Sequence, residues 1–153
     1  MNRTWTFVIS KSLTEQQLQE LLGAGNSFVK GWTAHDAQLS ASFEVFRNRI
    51  IIVKVNEDVH AASGCSIDKL TRFIKEIEQR FEIQLMNRLL VAFEDKNGIL
   101  NVSSASEIRT RLENGEVSTE TLVYNTSVAD EQQLQNWLQP LKNTWLNKYL
   151  VNN

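Results

Sequence analysis

The run Ile50-Ile51-Ile52-Val53-Lys54-Val55 constrains this chain more than any other segment. Five of its six side chains are apolar and β-branched, so as a strand it presents apolar groups to both sides. Only a central strand covered on both faces satisfies that demand, and the rest of the chain has to supply the covers. Just upstream, Leu39, Ala41, Phe43 and Val45 alternate with Ser40, Ser42 and Glu44, the period of a half-buried strand. Arg47-Asn48-Arg49 reads as the tight turn that joins the two into a hairpin.

One cover is predicted on each side of this hairpin in sequence. Thr4 to Ser10 reads as a strand, and Thr14-x-x-Gln17 forms a capping box with Leu13 and Leu18 as its hydrophobic staple, so a helix starts at Glu15. Leu18, Leu21 and Leu22 form its buried face, and Gly23 and Gly25 weaken it afterwards. Downstream lies the most regular amphipathic pattern, with Ile67, Leu70, Phe73, Ile74, Ile77 and Phe81 on one side and Lys69, Arg72, Glu76 and Arg80 on the other. Leu89 to Phe93 is a further strand, Asn97-Gly98 a turn, and Ile99 to Val102 a short strand. Ser104-x-x-Glu107 opens another helix that Asn114-Gly115 closes, and Thr121 to Tyr124 is one more strand. In the C-terminal stretch Pro140 divides two short helices. The resulting expectation is an α+β fold, a ferredoxin-like split β-α-β-β-α-β core with a C-terminal β-α-β-α extension, in a single globular domain spanning 1–153.

The chain is long enough for such a core: at 153 residues and 17.5 kDa it buries roughly two-thirds of its extended surface without help from disulfides or metals. Sixteen Lys+Arg against 18 Asp+Glu give a net charge of −2, which supplies no general attraction to nucleic acid or anionic lipid. One cysteine excludes an internal disulfide, and two histidines 25 positions apart do not make a metal site. The N-terminus lacks a secretory signal pattern and no apolar run is long enough to cross a membrane, so a cytoplasmic location is expected. No cofactor is expected, because G-x-x-x-x-G-K-[ST], G-x-G-x-x-G, G-x-S-x-G and H-E-x-x-H are all missing.

The residues with chemical potential gather in the segment before the strongest helix, which holds Ser63, Gly64, Cys65, Ser66, Asp68 and Lys69. A helix start offers free N–H groups and a partial positive charge, which suits an anion and favours a thiolate. Cys65 is therefore a candidate nucleophile or redox-sensing thiol, with His35 as its base or orienting group. Either Ser63 or Ser66 can instead simply cap the helix, with Cys65 a small buried hydrophobe. Trp32 and Arg88 complete the set of candidate ligand-binding residues, Arg88 as a bidentate partner for a carboxylate or phosphate.

Trp32-x-Ala34-His35, Leu39-x-Ala41, the run Ala62-Ser63-Gly64-Cys65-Ser66-Ile67-Asp68-Lys69, Asn87-Arg88, Gly115 and Trp145 together resemble a small bacterial family of about this length. Its members are uncharacterised, and many carry the label ABC transporter ATPase. This chain departs from the family's pattern at Asp36, where Gly is usual, and at Asn87, where Asp is usual. The label implies a P-loop, an acidic Walker B strand end and a Gly-rich signature, and none occurs in this sequence. Two readings of function follow: a non-enzymatic domain that binds a small molecule or a protein at the Ser63–Lys69 helix start, or a thiol-dependent enzyme or redox sensor using Cys65. An ATP-related role is a third, which the missing motifs disfavour.

Overall fold

The computed structural model describes residues 2–150. Along the chain run β1 (Asn2–Val8), α1 (Glu15–Lys30), β2 (Thr33–Ala34), β3 (Ala37–Gln38), β4 (Ala41–Phe46), β5 (Ile50–Asn56) and α2 (Gly64–Phe81). They are followed by β6 (Leu90–Glu94), β7 (Leu100–Ser104), α3 (Ala105–Glu113), β8 (Leu122–Tyr124), α4 (Glu131–Leu134) and β9 (Leu138–Pro140). Two 3-10 turns, Leu141–Asn143 and Trp145–Leu150, end the described chain.

The apolar run is the middle strand of an antiparallel sheet with the order β1-β5-β4. Ile51, Val53 and Val55 of β5 face one way and pack with Leu21 and Val29 of α1 and Leu70, Ile74 and Ile77 of α2. Ile50 and Ile52 face the other way, against Ala92, Tyr124, Val128 and Trp137. The second cover is itself a sheet, β7-β6-β8-β9, also antiparallel. Its far face, with Val91, Phe93 and Val123, is closed by Ile108 of α3 and by Leu141 and Leu146. The protein is thus a mixed α+β fold of four layers: helices, sheet, sheet, helix with 3-10 turns.

The first three strands of the expected split core are in place, but its fourth, β6, does not pair with β1. β6 pairs with β7 and β8. The outer edge of β1 is occupied by a later segment: the Thr4 N–H donates to the Ala129 carbonyl (2.9 Å), the Thr6 hydroxyl to the Thr126 carbonyl (3.0 Å), and Arg3 forms a β-bridge with Asp130. Backbone groups on a sheet edge take whichever partner the packing delivers, and here it delivers residues 126–130.

Local chemistry explains the remaining details. Arg47 and Asn48 both adopt positive φ (48° and 63°), which gives the β4–β5 hairpin the twist of its strands. Gly25 lies so close to the Phe43 ring that a Cβ there would overlap it, so this glycine seats α1 on β4 and the helix runs through it unbroken. The two C-terminal helices expected around Pro140 are replaced by α4, β9 and the 3-10 turns. Trp137 packs between the sheets while Leu141 and Leu146 lie on the far face of the second sheet, so the apolar spacing there records a chain crossing between cores. No helix among the described residues is long and apolar enough to cross a membrane.

Candidate functional site

The start of α2 is a closed hydrogen-bonded clasp. Ser63 is the N-cap: its Oγ accepts the Ser66 N–H (3.2 Å), and the Ser66 Oγ accepts the Ser63 N–H (2.7 Å) and donates to the Ser63 carbonyl (2.8 Å). Both serines share the cap in a reciprocal pair. Ser66 is fully buried, and its carbonyl receives the indole N–H of Trp32 at 2.8 Å. Trp32 is itself buried, edge-on to Trp5 with ring centroids 5.9 Å apart and tilted against Phe28 at 5.1 Å. The motif residues Trp32, Ser63 and Ser66 therefore join the strand β2 to the first turn of α2.

The other motif residues face outward. Gly64, Cys65, Asp68 and Lys69 are exposed on the first turns of α2. His35 and Asp36 are the two turn residues between β2 and β3, both exposed and both at positive φ (51° and 63°). A glycine at position 36 would meet this backbone requirement, since glycine adopts the conformation without strain. No hydrogen bond or ion pair joins His35 to Cys65 or either of them to Arg88 among the described residues.

Arg88 belongs to a different place. Its Nη1 donates to the Thr6 carbonyl at 2.7 Å, and its guanidinium lies 5.2 Å from the Phe7 ring centre. Burial of this end lowers the Arg88 pKa from its ordinary value while leaving a cation. The neighbouring Asn87 is a local brace, its Oδ1 accepting the Leu89 N–H at 3.0 Å and its Nδ2 donating to the Gln84 Oε1 at 2.9 Å. Arg88 lines an open groove of about 380 Å³ along the outer edge of β1, together with Arg3, Thr4, Trp5, Thr6 and Trp145. Sequence reading missed this groove, because its walls come from β1, residues 126–129 and the C-terminal turn. The one available signal was the unusual Arg3-x-Trp5 alternation, which puts both on one face of the strand.

A second groove of about 270 Å³ carries Glu94, Asp95, Glu116 and Glu120, but its charges serve the fold. Glu94 pairs with Arg47 (2.9 Å), Glu116 with Arg111 (2.8 Å) and Glu120 with Lys142 (2.6 Å). The Asp95 carboxylate accepts the Ile99 and Asn97 N–H groups and the Asn101 amide, and these bonds, the Ile99 one foremost, hold its pKa below the usual carboxylate value. Among the described residues no group of three or more His, Cys, Asp and Glu side chains is arranged to hold a metal ion. Comparison with models of known protein families, with curated proteins and with solved structures yields no match to this chain.

Proposed function

We propose that this chain is a non-enzymatic binding domain whose recognition surface is the exposed first turn of α2 with the tip of the β2–β3 hairpin. The observation that carries the reading is the division of labour in the motif. The Ser63, Ser66 and Trp32 polar groups are consumed inside the fold, while Cys65, Asp68 and Lys69 stand outward on the rigid base they create. Recognition needs exposed groups on a fixed frame. Cysteine catalysis needs a base within hydrogen-bond reach of the sulfur, and His35 makes no such bond here. The thiol enzyme or redox sensor is the competing reading, and an ATP-related role has no phosphate-binding loop to rest on. The same proposal includes membership of the small bacterial family described above, a split β-α-β-β-α-β core with its fourth strand displaced into the second sheet, and a cytoplasmic location.

Iodoacetamide labelling separates the two main readings. For a binding surface, Cys65 in the native protein reacts no faster than in the urea-unfolded protein at the same pH, and His35→Ala leaves the rate unchanged. A native rate roughly tenfold higher that collapses in His35→Ala would establish the thiol chemistry instead. A photo-crosslinker on Cys65 should then give a discrete adduct in lysate, reduced by Asp68→Ala with Lys69→Ala. The control is the same label on Glu113→Cys in a Cys65→Ser background, and equal adducts from both positions would remove the proposal.

A further inference from the structure

The groove along β1 holds two arginines whose charge the fold leaves unneutralised. Arg3 lies with its guanidinium 5.1 Å from the Trp5 ring centre and Arg88 with its own 5.2 Å from the Phe7 ring centre. Trp5 and Phe7 are two residues apart on the same face of β1, which separates their Cα atoms by roughly 6.6 Å. Two cations are thus held over adjacent rings. Among the described residues no carboxylate reaches ion-pair distance of either one; Glu57 and Asp130 line an adjoining cleft with Arg3 but make no ion pair with it. In a chain with more acids than bases, these are two cations without an ion-pair partner among the described residues, and burial makes the charge on Arg88 costly to hold there.

The rest of the groove tells what the anion is attached to. Thr4 donates its N–H outward to Ala129, so alternate residues of β1 turn their backbone groups to this edge. Thr6 therefore presents its N–H on the side where its carbonyl meets Arg88, one more donor beside the two guanidinium groups. Trp145, 42% exposed, forms a wall and carries Lys148 with its Nζ 5.3 Å from the ring. A bare oxyanion fills only part of about 380 Å³, a volume within the range of small-molecule sites. We infer that this groove binds an organic oxyanion, a phosphate monoester or a carboxylate, whose charged end sits between Arg3 and Arg88 and whose body lies on Trp145.

The site is independent of the α2 surface and is tested separately, with the full-length chain labelled with nitrogen-15 and titrated with phenyl phosphate, benzoate and inorganic phosphate. Phenyl phosphate or benzoate at concentrations up to about 10 mM should move the Thr6 amide and the Trp145 indole resonances to saturation, and the stronger of the two identifies the headgroup. Arg88→Ala should weaken binding roughly tenfold or more and Arg3→Ala by a few-fold, with affinity falling as salt rises. Because Arg88→Ala also removes a bond to Thr6, Arg88→Gln, which retains a donor, provides the reading if the alanine variant fails to fold. Absence of any shift at these resonances, or binding that survives both arginine substitutions unchanged, overturns the site. Inorganic phosphate binding as tightly as phenyl phosphate overturns the role given to Trp145.

Discussion

Gly25 brings the backbone of α1 against the Phe43 ring, whereas two residues earlier Gly23 has open space where a Cβ would be. The two glycines look alike in sequence, and both weaken a helix in isolation. In the folded protein they have opposite consequences. Gly25→Ala forces the Phe43 ring or the helix to move and should destabilise by about 2 kcal/mol, the scale of an overpacked core. Gly23→Ala should stabilise by about 0.5–1 kcal/mol through helix propensity alone. Urea unfolding of both variants checks the pair, and equal effects would contradict the packing described for Gly25. At the same scale, the aromatic neighbours of Trp32 and its bond to Ser66 were not legible in the sequence, because Ser66 is some 34 positions distant and only the fold brings its carbonyl to the indole.

Capping boxes are complete within four residues, so those at Thr14 and Ser104 could be recognised from spacing, whereas at α2 the sequence offered Ser63 or Ser66 as the cap and the structure uses both in a third box. Ser63→Ala removes one half of a reciprocal pair at the start of an 18-residue helix and should cost about 1 kcal/mol in unfolding free energy. In the β2–β3 hairpin the Asp36 backbone is left-handed, so Asp36→Gly should raise stability by about 0.5–1 kcal/mol, read as a higher midpoint in the same urea titration. The long strands β1, β4 and β5 carry enough residues to display their pattern. β2, β3 and β9 have two or three residues each, too few for a period of two to appear. Where β6 pairs was equally invisible: the competition for the edge of β1 is decided by residues 126–130, and no local feature near β6 reports it. The candidate site divides in the same way, since the α2 motif is contiguous in sequence and the β1 groove is assembled from four distant segments.

The two sheets are fastened at one margin by a polar cluster. The Tyr124 hydroxyl donates to the Glu94 carboxylate at 2.7 Å and accepts from the Arg47 guanidinium at 2.8 Å, while the Tyr124 ring packs edge-on to Trp137 and Phe46. Burial, and then the bond to Glu94, raise the Tyr124 pKa above its ordinary value, with Arg47 acting in the opposite sense. A folded-state pKa that is raised means the neutral phenol is favoured by folding. The stabilisation is complete below the ordinary tyrosine pKa and is lost as pH rises through the folded value. Tyr124→Phe should therefore cost about 1 kcal/mol at neutral pH and flatten the alkaline decline in stability, measured by urea midpoints between about pH 8 and 11. A decline of unchanged steepness would assign it to other groups. The layered arrangement also sets an order of events at the ribosome. By residue 81 the chain contains the whole first sheet and both of its helices, yet Ile50 and Ile52 have no cover until Ala92, Tyr124 and Trp137 have emerged, and β1 has no edge partner until Ala129. For the several seconds that this stretch takes to synthesise, the nascent chain displays a bare strand edge beside a bare apolar face, the combination by which neighbouring nascent chains pair with one another.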